Sequence, residues 1–392
     1  MNLYLIGHDY RYAVEQMLLT LFPDERPEYP DGRPTGDRVE LRLMPGPKIT
    51  TATCVLVYHG RTANGRTSVP NSELTDPTET DRRLQGAVKR AFYRAAMGIG
   101  MPHKPWGMLT GVRPGKLMTP LLAQGMGDAQ AMRYFERHYD VAPARAALVV
   151  RTAHATLRAM DALGDKDVCL YVGIPFCPTR CAYCSFVSQS VEKSMALVPE
   201  FLQALAREIA ATAKAVQRAG LRIVSLYIGG GTPTTLTADQ MDRLLTKLEQ
   251  NFDFGNLAEL TIEAGRPDTI DEEKLRVLRA HNTTRVSINP QTMEDNVLAA
   301  IGRRHTADDI RRAMEQVRRA DFPHVNMDLI AGLPEDTPEG FARSLDEVIS
   351  MGADNITVHT LSLKKGSRIM LEGSRIPGAD EVAQMLDYAD PT

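Results

Sequence analysis

The sequence predicts an α/β fold, a partial (β/α)6 TIM-type barrel over residues 166–375 with a separate α+β N-terminal domain over residues 1–165. The chain has 392 residues, enough for two or three domains of about 150 residues each. Apolar residues make up 43% and charged residues 24%, as in globular proteins, which excludes disorder and collagen-like structure. From residue 168 onward short apolar runs alternate with amphipathic stretches, and the polar cluster Gly164–Asp167 precedes them.

The N-terminal domain is predicted to mix strands and helices. In order, we expect a strand at Leu3–Ile6, a helix at Tyr12–Phe22, strands at Val39–Leu43 and Thr50–Tyr58, helical sequence from Asp81, and a helical run at Asp140–Leu163. The helix after Asp81 has a basic side, typical of a solvated face, formed by Arg82, Arg83, Lys89, Arg90 and Arg94. No catalytic constellation is evident in this domain, so we expect a structural or substrate-gating role.

Six apolar runs predict the strands of the second domain. They are Val168–Pro175, Arg222–Gly229, Glu259–Ala264, Arg285–Pro290, Val325–Ala331 and Asn355–Leu361. Such near-continuous apolar runs are typical of parallel strands that helices cover on both faces. Since a complete TIM barrel has eight strands, six β-α units predict an open, partial barrel.

The last segment, residues 376–392, is predicted to be the start of a C-terminal region. Asp380–Asp390 indicates a helix with Val382, Met385 and Leu386 on one side. This apolar side needs a partner, and little sequence follows it. Either the helix folds back on the barrel or the chain is truncated, and we favour truncation.

Charge and hydropathy exclude several classes of partner. The net charge is −3, so the chain lacks the broad basic field of non-specific nucleic-acid binding. No apolar run approaches the 18 or so residues of a membrane span, and the N-terminus does not resemble a signal peptide. An odd count of five cysteines argues against a disulfide framework. We expect a cytoplasmic protein.

The cysteines separate into two groups. Cys54 and Cys169 lie in strand-like sequence and are expected to be buried. Cys177, Cys181 and Cys184 form a CxxxCxxC loop after the first barrel strand. Three thiolates can hold three corners of a cubane iron–sulfur cluster and leave one iron open to a ligand. A ferredoxin or a structural zinc site would need a fourth ligand, and none follows at a suitable spacing.

Other residues that are suited to ligand binding follow later strands. Gly229–Gly231 lie at the end of the second strand, and consecutive glycines let the backbone approach a ligand closely. Glu263 and Asp328 are expected to be lone carboxylates at strand ends, suited to ribose hydroxyls or an ammonium group. Arg303 offers a donor fork for a carboxylate.

The cysteine motif, with an aromatic residue before its last cysteine, resembles the radical S-adenosylmethionine (SAM) superfamily. Six stretches over residues 168–370 resemble, in order, the oxygen-independent coproporphyrinogen III oxidases: Tyr171–Phe186, Gly229–Thr234, Thr261–Pro267, Arg285–Gln291, Ile301–His305 and Asn326–Pro334. Trp106–Lys116 and Asn289–Met293 look most like the coproporphyrinogen dehydrogenase branch, which has an extra N-terminal domain.

The resemblance implies a [4Fe–4S] cluster and S-adenosylmethionine as cofactors. Cys177, Cys181 and Cys184 would be the metal ligands. Cofactor contacts to the cluster-bound S-adenosylmethionine would come from Tyr171, Gly230, Glu263 and Asp328. A second S-adenosylmethionine, present in the founding members, would contact Tyr183, Gly231, Thr232, Gln291 and Arg303. Two departures concern this second site: Phe186 stands where those oxidases often have a cysteine, and Asn289-Pro290 replaces glycine-valine.

The implied reaction is the oxidative decarboxylation of two propionates of coproporphyrinogen III to vinyl groups, giving protoporphyrinogen IX. A 5′-deoxyadenosyl radical would start it, and no catalytic side chain is expected beyond the cluster and cosubstrate. The partners would be a porphyrinogen or other tetrapyrrole, an external low-potential electron donor and an electron acceptor. Basic candidates for the other propionates are Lys364, Lys365, Arg368, Arg113 and Lys116. The alternatives are a haem chaperone and a radical SAM haem-modifying enzyme, such as a methyltransferase.

Overall fold

The computed structural model describes residues 1–110, 113–186, 188–362 and 375–390. These residues form two compact units, Met1–Leu163 and Gly164–Thr392, each with its own hydrophobic core. The division falls beside the polar cluster that begins at Gly164.

The first unit begins with a four-stranded sheet covered by two helices. Its elements are β1 (Asn2–Ile6), α1 (Arg11–Leu21), β2 (Arg38–Pro45), β3 (Ile49–Tyr58), β4 (Arg61–Pro70) and α2 (Pro77–Gly98). The strand order is β1-β2-β3-β4, with β1 parallel to β2 and the other pairs antiparallel. Buried side chains of α1, α2 and the sheet, including Met17, Leu41 and Phe92, form one core.

Three helices complete the first unit and have a small core of their own. They are α3 (Pro114–Ala123), α4 (Asp128–Tyr139) and α5 (Pro143–Asp161). Met118, Phe135 and Val150 are buried between them. The predicted helical run at Asp140–Leu163 needs a correction, because Asp140 ends α4 in the left-handed conformation and α5 begins only at Pro143.

Strand β4 was missing from the predicted elements. Its sequence is polar because most of its side chains face away from the core, and only Gly65 and Thr67 are buried. His59 and Gly60 both have positive φ and make the tight turn that pairs β4 with β3.

The second unit contains six parallel strands, which confirms the predicted α/β fold with its partial barrel. Its elements are β5 (Asp167–Ile174), β6 (Phe176–Cys177), β7 (Gln189–Ser190), α6 (Val191–Ser194), α7 (Val198–Ala219), β8 (Arg222–Gly230), α8 (Ala238–Asn251), β9 (Glu259–Glu263), α9 (Glu272–Ala280), β10 (Arg285–Gln291), α10 (Asp295–Ala300), α11 (Ala307–Arg319), β11 (His324–Ala331), α12 (Pro338–Ser350), β12 (Asn355–Thr360) and α13 (Ala379–Ala389). The six-stranded sheet has the order β12-β11-β10-β9-β8-β5. All neighbouring strands in it are parallel.

The strand at the edge of this sheet corrects one expectation about the cysteines. Cys54 is buried in β3 as expected, but Cys169 is exposed. It lies on β5, where side chains alternate between the core and the opposite face, and Tyr171 is exposed on that same face. Because an open barrel leaves this face of an edge strand uncovered, an apolar-looking run does not guarantee burial on both sides.

Helix α13 packs back onto the second unit. Met385 is completely buried, and its sulfur accepts a hydrogen bond from the Gly332 amide after β11. Tyr388 donates to the Asp346 carboxylate on α12. The apolar side of this helix therefore has a partner within the chain. Among the described ranges, no helix is both long and apolar enough to cross a membrane.

Candidate functional site

The CxxxCxxC loop leaves β5 at one end of the parallel sheet and is fastened to a distant loop. Its first cysteine, Cys177, lies in the short strand β6. The Ala182 amide donates to the Ile301 carbonyl at 2.9 Å, and Thr179 Oγ1 donates to the Gly302 carbonyl at 3.2 Å. These bonds join the cysteine loop to the segment after α10, more than 100 residues later in the chain.

A buried arginine that the sequence reasoning missed holds the centre of the cysteine loop. Arg266, only 2% exposed, donates to the Thr179 carbonyl at 3.3 Å and to Thr179 Oγ1 at 3.0 Å. Its Nη1 also lies 3.7 Å from Cys181 Sγ, within hydrogen-bonding distance for sulfur. The Asp268 carboxylate orients the guanidinium, with 3.3 Å between Nε and Oδ1. Arg266 thus delivers a positive charge and an N–H donor to one thiol of the triad.

Arg303 approaches the same loop from the other side. It is 8% exposed and donates to the carbonyls of Gly265 and Asn289 and, at 3.3 Å, to the Tyr183 hydroxyl. Three acceptors therefore occupy most of its guanidinium, while Nε is buried without a partner in the described structure. The donor fork expected from the sequence exists, and here it binds protein groups.

The two arginines set the electrostatics of the triad. Burial by itself raises the pKa of Cys181, but the charges of Arg303 and then Arg266 outweigh it and lower that pKa below the ordinary thiol value. Burial raises the pKa of Cys184, and negative charge on Cys181 and Cys177 raises it further, so the three sulfurs are close enough to interact. The environment favours a thiolate at Cys181, the form that binds iron.

The donor set fits a polynuclear cluster better than a single metal ion. In the described part of the chain, no three His, Cys, Asp or Glu side chains converge as ligands of one ion. In an iron–sulfur cubane each thiolate binds a different iron, so the sulfurs need not point to a single centre. Soft thiolates beside two cations fit an anionic iron–sulfur group.

The glycine loop at the end of β8 lies directly against the strand that leads into the cysteines. The Gly231 amide donates to the Ile174 carbonyl, and the Thr232 amide to the Phe176 carbonyl, both at 2.7 Å. A Cβ on Gly231 would lie 2.5 Å from the Phe176 oxygen, so only glycine fits. Thr232, 3% exposed, places Oγ1 3.7 Å from Cys177 Sγ. The two motifs singled out from the sequence are therefore neighbours in space.

Glu263, at the end of β9, is paired rather than lone. Tyr227 donates its hydroxyl to Glu263 Oε1 at 2.5 Å, and the Tyr171 ring stacks on Tyr227 with 5.9 Å between centroids. Burial raises the pKa of Glu263, hydrogen bonds from Tyr227 and the Gly230 amide oppose the rise, and the charge of Asp328 adds to it. Glu263, Tyr171 and the glycine loop thus form one connected surface.

Asp328 also departs from its predicted setting. It lies inside β11 rather than at its end, and Asn326 donates to its Oδ1 at 2.7 Å. With its amide nitrogen turned towards them, Asn289 donates to Ser287 Oγ at 2.8 Å and to Asp328 Oδ2 at 3.2 Å. These amides solvate the carboxylate within an apolar strand, so it does not need a counter-charge there.

The backbone is strained where β10 ends. Gln291 has a φ of 72° although it is not a glycine, and it is 5% exposed. The pairing of β10 with β11 shifts register between Ile288 and Gln291. Non-glycine residues in this conformation cluster at binding sites, where the surrounding structure holds them in place.

Most residues predicted from the sequence are brought together at this edge. The three cysteines, the glycine loop, Thr232, Tyr183 and Arg303 are linked by the contacts above, and Tyr171, Glu263 and Asp328 interact through charge or ring contacts. Of the propionate candidates, Arg113 and Lys116 are exposed in the first unit, while Lys364, Lys365 and Arg368 lie outside the described residues.

Four polar residues near the site were not predicted to take part. They are Arg266, Tyr227, Asn326 and Asn289. Polar side chains within or next to apolar strand runs were the available signal, because such groups are buried only when they have partners.

Comparison with known proteins agrees with this geometry. Residues 171–348 match the model of the radical SAM superfamily. The oxygen-independent coproporphyrinogen-III oxidase-like protein HemZ of Bacillus subtilis (strain 168) is 36% identical over 81% of this chain and 66% of its own length. The haem chaperone HemW of the same strain is 31% identical over 55% of this chain and 57% of its own length.

A solved structure gives the same result. The structure of coproporphyrinogen III oxidase HemN from Escherichia coli, described as a radical SAM enzyme, aligns with a TM-score of 0.53 and 30% identity over 60% of this chain and 54% of that chain. The chain spans 57–66% of the length of HemZ and HemW. The second unit therefore contains a radical SAM domain, matched over residues 171–348, and the chain is similar to the oxygen-independent coproporphyrinogen III oxidases.

Proposed function

We propose that the second unit binds a [4Fe–4S] cluster through Cys177, Cys181 and Cys184 and uses it to decarboxylate the propionates of coproporphyrinogen III. The observation that carries the proposal is the triad itself. Its thiols interact with one another, two buried arginines face Cys181, and the glycine loop adjoins Cys177. Three thiolates leave one iron of a cubane free for S-adenosylmethionine.

The neighbouring residues suit the parts of that cosubstrate. Glu263 is a buried carboxylate at the strand ends and can accept hydrogen bonds from an ammonium group or ribose hydroxyls. Tyr171 offers an exposed aromatic ring on the same surface, and Gly230 brings its backbone close without a side chain. When bound, the cluster and S-adenosylmethionine would supply hydrogen-atom abstraction at a propionate β-carbon, and the electron released together with CO2 would pass to an external acceptor.

At the proposed second S-adenosylmethionine site, some of the polar groups already bind other protein groups. The proposed contacts are Tyr183, Gly231, Thr232, Gln291 and Arg303. Arg303 already gives three of its five N–H donors to protein acceptors, so fewer donors remain for a second cosubstrate carboxylate. Equilibrium dialysis of the reconstituted protein with labelled S-adenosylmethionine gives the number bound. Two molecules per chain support the second site, and one per chain rejects it.

The substrate is proposed from the relatives. The matched proteins include coproporphyrinogen III oxidases of Escherichia coli and Salmonella typhimurium, both 34% identical to this chain over the aligned region. We propose the activity of those proteins for this chain on the basis of this similarity.

The test is a multiple-turnover assay on the full chain after anaerobic reconstitution. Coproporphyrinogen III, excess S-adenosylmethionine, a strong reductant and an electron acceptor are added, and mass spectrometry follows tetrapyrrole and 5′-deoxyadenosine. The proposal expects the loss of two carboxyl groups from the substrate together with 5′-deoxyadenosine. Cys181→Ala should abolish both products, and Arg304→Gln, which changes an exposed charge, should leave both intact. Formation of 5′-deoxyadenosine with unchanged tetrapyrrole would reject the substrate and keep the radical chemistry.

A haem chaperone is the second candidate, because HemW proteins are 30–31% identical to this chain over about half its length or more. It expects stable, stoichiometric haem binding with no decarboxylated product. Haem titration followed by gel filtration separates the two functions. A methylated tetrapyrrole with S-adenosylhomocysteine would instead identify a methyltransferase.

A further inference from the structure

We propose that a cavity in the first unit binds an organic dianion, a phosphate or a pair of carboxylates carried on an aromatic body. The cavity has a volume of about 560 Å³, within the roughly 300–1,000 Å³ of small-molecule sites. It lies between α2, strand β4 and the end of α4, all within one compact unit. Nothing in the proposed radical chemistry uses it.

The cavity wall carries more positive than negative charge. Arg82 and Arg83 line it, but both are neutralised by Glu79, and Arg83 also pairs with Glu73. Lys89 and Arg90 line it too, and within the described residues neither has an acidic partner. Two cations therefore remain uncompensated, and a dianion would balance them.

Lys89 is the stronger of the two indicators. Its side chain is partly buried on α2, yet the described structure gives it neither a hydrogen bond nor an ion pair. Burial is the sole cause that lowers its pKa, so no charge stabilises the ammonium group. A half-buried ammonium without an anion is costly, and a ligand that supplies one removes that cost.

Arg90 supports the same conclusion with an unmet donor. It gives one N–H to the His138 carbonyl at 2.5 Å, while its Nε is buried without a partner in the described structure. The sequence pattern had indicated a solvated basic face for this helix. Instead, Lys89 and Arg90 line a half-open cavity beside α4.

The rest of the cavity lining indicates an aromatic ligand body. Tyr134, His138 and Tyr139 line the cavity, and their rings contact one another, with 3.9 Å between the Tyr134 and His138 centroids. Thr67, on the β4 side, is buried and offers a hydroxyl. Cations and aromatic rings that line one cavity match an anion attached to a ring.

The cavity lining also includes part of a motif that the sequence analysis singled out. Met108, Leu109 and Thr110 of the Trp106–Lys116 stretch line the cavity. Trp106 is the single tryptophan of the chain, and it lies two residues before this lining. Its emission therefore gives a fluorescence signal with no other tryptophan contributing, and calorimetry supplies the independent readout of binding.

The experiment titrates the purified full chain with phenyl phosphate and, separately, with phthalate. Trp106 emission and isothermal calorimetry follow binding, and dimethyl phthalate serves as the uncharged control. Saturable binding of either anion, one per chain, supports the site, and the tighter probe identifies the anionic group. Sodium sulfate should compete, while dimethyl phthalate should not bind.

Matched variants locate the binding. Lys89→Gln should weaken binding about 10- to 100-fold, as expected for one charge-assisted hydrogen bond, and Lys89→Arg should retain it. Lys48→Gln, an exposed lysine of the same unit, should change nothing. Thermal unfolding confirms that each variant is folded. The inference is overturned if neither anion binds saturably, if dimethyl phthalate binds as well as phthalate, or if a folded Lys89→Gln binds like Lys48→Gln.

Discussion

Replacing Arg266 by glutamine should make the bound cluster harder to reduce. Arg266 is buried and brings an N–H donor to 3.7 Å from Cys181 Sγ. A positive donor beside a sulfur ligand stabilises the reduced, more negative cluster and so raises its reduction potential. Glutamine removes the charge, and its shorter side chain loses most of the contact with Thr179 as well.

The size of the effect follows from the energy of that contact. A hydrogen bond from a charged donor contributes about 1.5–3 kcal/mol. For a one-electron couple about 1.4 kcal/mol corresponds to 59 mV, and only the part of that energy that differs between the oxidised and reduced cluster counts, so the midpoint should fall by at most about 60–130 mV. Asp268 neutralises part of the charge, which favours the lower end of this range. The lost bonds to Thr179 should lower the free energy of unfolding by about 1–3 kcal/mol.

The assay is a redox titration of the reconstituted protein followed by electron paramagnetic resonance. Arg304→Gln is the matched control, because its side chain is 69% exposed and pairs with Glu192 on the surface. Its midpoint should stay within ~20 mV of the unchanged protein, since solvent screens such pairs. If folded Arg266→Gln shows no larger change than Arg304→Gln, Arg266 does not tune the cluster.

Further predictions concern four other residues of the second unit. Gly231→Ala places a Cβ 2.5 Å from the Phe176 oxygen, so the free energy of unfolding should fall by about 1–3 kcal/mol in urea melts; an unchanged melt would contradict the packing. Glu263→Gln should weaken S-adenosylmethionine binding about 10- to 100-fold in equilibrium dialysis. Because burial raises the pKa of Glu263, Glu263→Gln should be more stable than the unchanged protein at pH 8 and not at pH 4. Tyr227→Phe removes the hydroxyl that donates to the Glu263 carboxylate, so this variant should lose stability at pH 8. Burial also raises the pKa of Asp336 to about 6, so the cost of its charge to folding develops as the pH rises from about 4 to 6 and persists above. Asp336→Asn should therefore be more stable than the unchanged protein by up to about 3 kcal/mol at pH 8 and not at pH 4. The same stability difference at pH 4 and pH 8 would contradict this prediction.

The barrel was predictable because its strands are nearly continuous apolar runs. Each of the six predicted strands ends within one residue of the observed strand. Strand β4 was not predictable, because its outward side chains are polar and only a two-residue turn separates it from β3. Local pattern identifies strands whose sequence is largely apolar and fails for a strand whose outward side chains are polar.

The residues of the site also divide into those that local sequence signals predict and those that only the fold brings together. Cysteine spacing and the glycine run are local signals, and they located the triad and its neighbouring loop. Arg266 carries only the weaker signal of a polar residue next to an apolar strand run, and an arginine between glycine and proline otherwise suggests a surface loop. Its contact with Cys181 joins residues 85 positions apart, and only the packed sheet brings them together. Lys89 was predicted to lie on a solvated face because the sequence alone does not show which residues pack beside it.

The most direct test of the central claim is an electron–nuclear double resonance measurement on the reduced, reconstituted chain with S-adenosylmethionine labelled with 15N at the amino group or 17O at the carboxylate. A cluster held by three cysteine sulfurs has one iron that the cosubstrate can bind. The account predicts resolved hyperfine coupling to the labels, which disappears in Cys181→Ala. A cluster signal that S-adenosylmethionine leaves unchanged, or a reconstituted loop that holds zinc, would contradict it.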